Sequence, residues 1–174
     1  MSEDLKFPIG KYDKNTKISL EQREQFFTEI AQLPNALRGA VENLSDEQLD
    51  TPYRPGGWTV RQVIHHVGDS HMNSFIRFKL ALSEVNPTIR PYAEDLWAET
   101  PEYKMPVGVS LNLIDSIHQR WRTLLDSMSN ADFARTLNHP ETGKWTLDNQ
   151  LGLYAWHGRH HTAHVTNLKK RNGW

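Results

Sequence analysis

Apolar residues recur at intervals of three and four positions along four long segments, which is the periodicity of a helix with one buried face. The pattern predicts helices from Ser19 to about Asn43, Thr59 to Glu84, Ser110 to Met128 and Thr146 to about Arg171. Alternation with a period of two, typical of half-buried strands, is hard to find. Four amphipathic helices separated by loops predict an all-α fold, a four-helix bundle.

Local signals indicate where two of these helices begin and where one is disturbed. Ser19 with Gln22 and Thr59 with Gln62 have the spacing of a capping box, in which two side chains satisfy the free N–H groups of the first turn. Pro34 lies inside the first predicted helix. Because proline has no N–H to donate, we expect it to kink or break that helix.

The segments between the long helices are expected to be short loops and helical turns. Residues 1–18 predict an extended N-terminal arm, and short helical pieces are expected at 45–48 and 93–99. The stretch NHPETGKW, just before the last helix, is predicted to be a turn. A chain of 174 residues can bury a substantial core, so residues 1–174 are expected to form a single domain.

Composition excludes several classes of function. With 20 basic and 21 acidic residues, the net charge is −1, which argues against a nucleic-acid binder. No apolar run is long enough to cross a membrane, and the beginning of the chain does not have the pattern of a signal peptide, so a cytoplasmic protein is expected. Because the chain has no cysteine, a metal here would need nitrogen and oxygen ligands.

The stretch YAWHGRHHTAH holds four of the nine histidines of the chain, in two pairs with the same i, i+4 spacing. His157 and His161 fall at the edge of and inside the apolar stripe of the last helix, whereas His160 and His164 lie on its flank, toward the polar side. Periodicity therefore favours His157 and His161 as a buried, metal-chelating pair. The stripe is formed by Leu147, Leu151, Tyr154, Val165 and Leu168.

A catalytic metal site of this type takes three protein ligands and keeps a position open. Helical geometry leaves the third ligand ambiguous between His66, on a polar face of the second helix, and His71, within its apolar stripe. That polar face continues through Ser70, Asn73 and Arg77, and it either lines a cavity or is exposed to solvent. The competing interpretation is that these histidines are ordinary core and surface residues of a helical structural module.

Four segments spread over nearly the whole chain have a familiar order and spacing: PIGKY, TPYRPGGWTVRQVIHHVGDSHMNSFIRFKLAL, IRPY and LGLYAWHGRHHTAHV. In these segments the chain resembles the YfiT-type metalloenzymes of the DinB-like superfamily of four-helix bundles. The resemblance implies that His66, His157 and His161 are the metal ligands, that His71, His160 and His164 support or pack against them, and that His65 is a surface residue.

The resemblance also implies an activity, a metal-dependent hydrolase acting on a small molecule. One divalent metal per chain, zinc or nickel, would activate water or a thiol at an open position. The alternatives are a thiol S-transferase using a cosubstrate such as bacillithiol, and a non-catalytic, metal-stabilised binding module. A homodimer is expected. Candidates for supporting the ligands or contacting substrate are Asp69, Asn73, Arg77, Tyr154, His160 and His164.

Overall fold

The computed structural model describes residues 2–174 and is predominantly helical, so that Met1, the start of the predicted arm, lies outside the described residues. The four long helices confirm the predicted four-helix bundle. Within residues 2–174 the α-helices are α1 Ser2–Lys6, α2 Leu20–Val41, α3 Asp46–Leu49, α4 Val60–Ser83, α5 Glu94–Trp97, α6 Val107–Asp126, α7 Asn130–Phe133 and α8 Leu147–Asn172; a 3₁₀ turn spans Pro101–Lys104, and a small antiparallel sheet pairs β1 Thr136–His139 with β2 Gly143–Thr146.

The predicted capping boxes are present and begin two of the long helices. The Ser19 hydroxyl accepts from the backbone N–H of Gln22, and the Gln22 side chain accepts from the backbone N–H of Ser19. Thr59 and Gln62 do the same at the start of α4. These reciprocal hydrogen bonds satisfy N–H groups that have no partner inside the helix.

The break expected at Pro34 is absent, because α2 runs without interruption from Leu20 to Val41. In a regular helix the carbonyl of Ile30 would accept from the N–H of residue 34, which proline lacks. Nδ1 of His118, on α6, lies 2.6 Å from that carbonyl oxygen and takes the place of the missing donor. The lost helical bond is therefore replaced by one between helices.

The four long helices are arranged so that α2 packs against α6 and α8, and α4 packs against the same two helices. Helices α2 and α4, which follow one another among the long helices, thus occupy opposite corners of the bundle. Helices α4 and α8 run antiparallel, since His66 approaches His161 whereas Arg77, further along α4, approaches Tyr154. Among the described helices, none is both long and apolar enough to span a membrane.

The N-terminal segment was predicted to be extended, but its first part forms helix α1. The segment lies along α8, where the indole N–H of Trp156 donates to the carbonyl of Gly10 at 3.2 Å. The hydroxyl of Tyr12 also donates to the carbonyl of Asn149, at 3.1 Å. These contacts cover one flank of α8, which helical periodicity alone would leave open to solvent.

The predicted turn NHPETGKW belongs to a hairpin whose strands the sequence pattern did not predict. Thr136 pairs with Thr146, and Leu137, which is fully buried, pairs with Trp145. Each strand has four residues, too few for a period of two to stand out from the sequence. The short helix α7 was missed as well, although Ser129 and Asp132 form a capping box at its start.

The core consists of two apolar clusters with a layer of buried polar rings between them. One cluster includes Phe26, Phe78, Trp121 and Leu151, and the other includes Leu37, Ile64, Ile114 and Val165. On α6 and α8 the histidines lie at positions between those contributed to the two clusters, and on α4 His71 does the same, whereas His65 and His66 lie beside residues of the second cluster. The buried histidines on these helices are His65, His66, His71, His118, His160, His161 and His164.

Gly158 allows α8 to approach α2 closely, because a Cβ atom there would lie 2.6 Å from Cδ2 of Leu33. We expect Gly158→Ala to lower the free energy of unfolding by about 1–3 kcal/mol through overpacking. Gly39, within α2, has no atom near the position of a Cβ. Gly39→Ala should therefore raise stability by about 0.5–1 kcal/mol. Urea unfolding measures the stability of both variants. If Gly158→Ala were stabilised as much as Gly39→Ala, the close approach of α8 to α2 would be contradicted.

The buried histidines should make the metal-free protein unstable in acid. Burial lowers the pKa of His118 to about 4 and holds that of His71 well below its ordinary 6.5. Between about pH 6.5 and pH 4 the unfolded chain binds protons that the folded chain excludes, so the free energy of unfolding should fall as the pH falls.

Urea unfolding in the presence of a chelator, repeated from pH 7.5 to pH 4.5, measures this dependence. Removal of one such ring in His118→Gln should make the decline shallower than in the wild type. A free energy of unfolding that stays constant over this range would show that the rings are not excluded from protonation.

Candidate metal centre

Helices α4 and α8 bring His66, His157 and His161 together. One ring nitrogen from each lies within 4.8 Å of the other two, and the Nε2 atoms of His66 and His157 are 3.2 Å apart. His157 and His161 share a face of α8 because they are one helical turn apart. His66 enters from α4, which packs against that face.

The three rings fit a divalent metal in spacing and in protonation. Two nitrogens bound at about 2.0–2.1 Å to one zinc ion stand roughly 3.0–3.4 Å apart, so the 3.2 Å separation is suitable. Burial lowers the pKa of His66 to about 4 and that of His157 and His161 well below the ordinary range. The rings are thus neutral at pH 7, which is the form that binds metals.

His71, the other candidate for the third ligand, lies behind His157 and outside this group. Its ring is fully buried, and its Nε2 is 3.2 Å from Nδ1 of His157. The Nδ1 of His71 lies 2.9 Å from Nε2 of His118. Both of its nitrogens therefore have partners among the other rings, and the geometry favours His66 over His71 at the centre.

His160 and His164 were predicted to lie on the flank toward the polar side, but both are buried. The N-terminal segment covers them, so that Nε2 of His164 lies 3.1 Å from the carbonyl oxygen of Lys6. The ring of His164 also stacks on Tyr53 at 3.9 Å between centroids. With His161, these two histidines form a second group whose ring nitrogens lie within 4.8 Å of one another.

His65 is also buried, although the resemblance implied a surface position. Its Nδ1 lies 2.7 Å from the hydroxyl oxygen of Ser110 and its Nε2 lies 3.0 Å from the carbonyl oxygen of Met105. The prediction was wrong because the chain that leads into α6 folds over this side of α4. His65 connects the two helices and has no part in the histidine group around His66.

The remaining candidates on α4 have different surroundings. The carboxylate of Asp69 accepts from the hydroxyl of Tyr103 at 2.7 Å, and the structure does not bring it to His66. The side chain of Asn73 donates to the backbone carbonyl of Asp69. Arg77 is buried near Tyr154, with its Nη1 3.5 Å from the hydroxyl, and both residues line a cavity.

Two cavities meet at His157. One, of about 410 Å³, is bounded by His66, His161 and the aromatic rings of Trp58 and Trp156. The other, of about 590 Å³, is lined by Ser70 and Arg77 of α4 and by Tyr154, Tyr92 and His139. Glu94, Asp95 and His157 line both cavities, so His157 can be approached from two sides.

Several of these residues were missed by sequence reasoning. His118 falls on the apolar face of α6, four residues after Ile114, and this position was the available signal. Trp58, which packs on His66 at 4.5 Å between centroids, stands in the loop before α4. Glu94 and Asp95 carry no signal in the sequence, since an acidic pair in a loop is usually only solvated.

Comparison with known proteins identifies a family and several relatives. The DinB superfamily profile matches residues 29–165. The chain is 58% identical, over 98% of its length and 99% of the relative's, to a Bacillus cereus (strain B4264) protein named "Putative metal-dependent hydrolase BCB4264_A2719". It is 57% identical, with the same coverage, to a Bacillus thuringiensis protein with the name "Putative metal-dependent hydrolase BT9727_2476".

A solved structure matches the whole architecture. It is described as "YfiT from Bacillus subtilis is a probable metal-dependent hydrolase with an unusual four-helix bundle topology", and it superposes with a TM-score of 0.95 at 49% identity. The match covers 98% of this chain and 99% of that chain. With a matching profile over most of its length and relatives of this similarity, the chain belongs to the DinB superfamily.

Proposed function

We propose that this chain is a divalent metal-dependent hydrolase whose metal is held by His66, His157 and His161. The observation that carries the proposal is the convergence of three neutral imidazole rings, two buried and that of His157 half-buried, in the wall of a cavity. The names of the similar Bacillus proteins support the same activity. Zinc or nickel is the proposed metal, because both accept imidazole ligands.

The metal, when bound, would supply Lewis-acid activation of a water or thiol nucleophile. The residues of the chain provide the surroundings for that chemistry. Trp58 and Trp156 give the smaller cavity apolar walls that exclude water from a bound substrate, and Arg54 offers it a positive charge. Glu94 and Asp95, at the junction of the two cavities, are placed to accept a proton from an entering nucleophile.

The proposed substrate is a small molecule. Cavities of about 410 and 590 Å³ are within the size range that binds such ligands in proteins. Lys6 and Arg54 line the smaller cavity, and Arg77 lines the larger one, so an anionic substrate group would find a cation on either side. A purely apolar substrate would make no use of these positive charges.

The second candidate is transfer of a low-molecular-weight thiol, such as bacillithiol, to an electrophilic small molecule. The observation that favours it is the meeting of two cavities at one histidine, which suits a reaction of two substrates. Because the chain has no cysteine, the thiol would have to be a cosubstrate. We place either activity in the cytoplasm, where such thiols are kept reduced.

We also propose that the chain forms a homodimer. The support is a set of large apolar side chains that are exposed, among them Leu96 and Trp97 in α5 and Val85 after α4. Tyr103, in the same region, is buried within the chain against His65 and does not contribute to this surface. Analytical ultracentrifugation distinguishes a dimer from a monomer directly.

Metal analysis of single alanine variants tests the ligand assignment. His66→Ala, His157→Ala and His161→Ala should each lose most of the bound zinc after purification in zinc-containing buffer, because two imidazoles hold the ion far more weakly than three. His139→Ala is the matched control, since His139 lines the larger cavity but lies outside the histidine group. Full zinc content in His157→Ala would show that the assignment is wrong.

A turnover screen of the zinc- and nickel-loaded protein separates the candidate activities. Ester and amide hydrolysis without added thiol would support the hydrolase, with activity lost in His66→Ala. Consumption of an electrophile that depends on bacillithiol would favour the transferase. If neither reaction occurs while one metal ion is bound per chain, the result would favour the third interpretation, a non-catalytic binding module stabilised by the metal.

A further inference from the structure

A chain of three histidines leads from the candidate metal centre into the middle of the bundle. We call His157, His71 and His118 the inner chain. Nδ1 of His157 lies 3.2 Å from Nε2 of His71, and Nδ1 of His71 lies 2.9 Å from Nε2 of His118. The chain ends where Nδ1 of His118 meets the carbonyl oxygen of Ile30 at 2.6 Å.

Pro34 makes that last hydrogen bond available. The carbonyl of Ile30 would otherwise accept from the N–H of residue 34 within α2. Because Pro34 has no N–H, the buried carbonyl of Ile30 needs another donor, and an unpaired buried carbonyl would be costly. His118 is that donor, so an otherwise unfavourable residue inside α2 has a specific use.

The carbonyl fixes the direction of every proton in the inner chain, because it can only accept. His118 must therefore carry its proton on Nδ1, which leaves its Nε2 to accept from Nδ1 of His71. In turn, Nε2 of His71 accepts from Nδ1 of His157. Since each neutral ring has one proton, Nε2 of His157 keeps its lone pair, and that atom faces Nε2 of His66.

His161 is held in the same way from the other side, by what we call the outer chain, His161 and His164. Nδ1 of His161 lies 3.4 Å from Nδ1 of His164, and Nε2 of His164 lies 3.1 Å from the carbonyl oxygen of Lys6. Lys6 ends α1, where the last carbonyls have no helical donor. His164 thus donates through Nε2, accepts through Nδ1, and leaves the Nε2 lone pair of His161 free.

We propose that these two chains fix His157 and His161 in the Nδ1–H tautomer and thereby present both Nε2 lone pairs to the metal, with Pro34, His118, His71 and His164 as positioning residues. The proposal rests on the metal site proposed above. It differs from that proposal in predicting the protonation of each ring before any metal binds.

Long-range ¹H–¹⁵N correlation spectra of the metal-free protein, recorded near pH 7.5, report the protonated nitrogen of each histidine. The proposal expects Nδ1–H on His118, His71, His157 and His161, and Nε2–H on His164. An Nε2–H tautomer on His71 or His157 would overturn the inner chain. This measurement needs no variant, no metal and no substrate, so its outcome is independent of whether the proposed function is right.

Pro34→Ala supplies an N–H that competes with His118 for the carbonyl of Ile30, while alanine suits the helix. We expect altered tautomers at His118 and His71 and zinc binding weakened by about 10–100-fold, as is usual when the partner of a ligand is lost. Asn35→Ala, an exposed change next to it on α2, is the matched control and should change neither. Unaltered zinc affinity in Pro34→Ala with altered tautomers would overturn the positioning role.

His164→Phe tests the outer chain separately, because a phenyl ring keeps the stack on Tyr53 but removes the acceptor for His161. The tautomer of His161 should change while those of His71 and His118 do not, and zinc affinity should fall. Binding of two zinc ions per chain, with one lost in His160→Ala, would overturn the outer chain, since the second ion would then use His160, His161 and His164 as ligands.

Discussion

Burial of uncharged histidine rings between two apolar clusters is the constraint on which the rest of this structure depends. A buried imidazole has one donor and one acceptor, and each must find a partner or leave a costly unpaired group. Most of these rings are paired with one another or with main-chain carbonyls at the edges of the layer. The carbonyls are those of Ile30, freed by a proline, of Lys6, at the end of a helix, and of Met105, in the chain that leads into α6.

The segments outside the four long helices are needed to bury the histidine rings. Helix α1 and the residues after it cover the flank of α8, where His164 contacts Lys6 and Trp156 contacts Gly10. The loop before α4 supplies Tyr53 and Trp58, which pack on His164 and His66. Without these segments two histidines would face solvent, and the smaller cavity would lose a wall.

Local patterns in the sequence predicted the long helices, their capping boxes at Ser19 and Thr59, and the inward direction of His157 and His161. They were wrong wherever burial is provided by another part of the chain. A helical wheel describes one helix, so it could not show that His160 and His164 are covered by the N-terminal segment, or His65 by the chain entering α6. Similarly, Pro34 considered alone predicts a break in α2, and the helix continues because His118 replaces the N–H donor that proline lacks.

The three rings of the candidate centre are not held in the same way, and this difference shapes what the centre can do. His157 and His161 lie on one helix, and each has its Nδ1 near the ring of another histidine. Nδ1 of His66 is buried without a partner among the described residues, and its ring is positioned by packing on Trp58. Because His66 alone comes from α4, the contact between α4 and α8 sets the spacing of the centre. Any change in that contact would alter the distance from His66 to the other two rings while leaving their own separation unchanged.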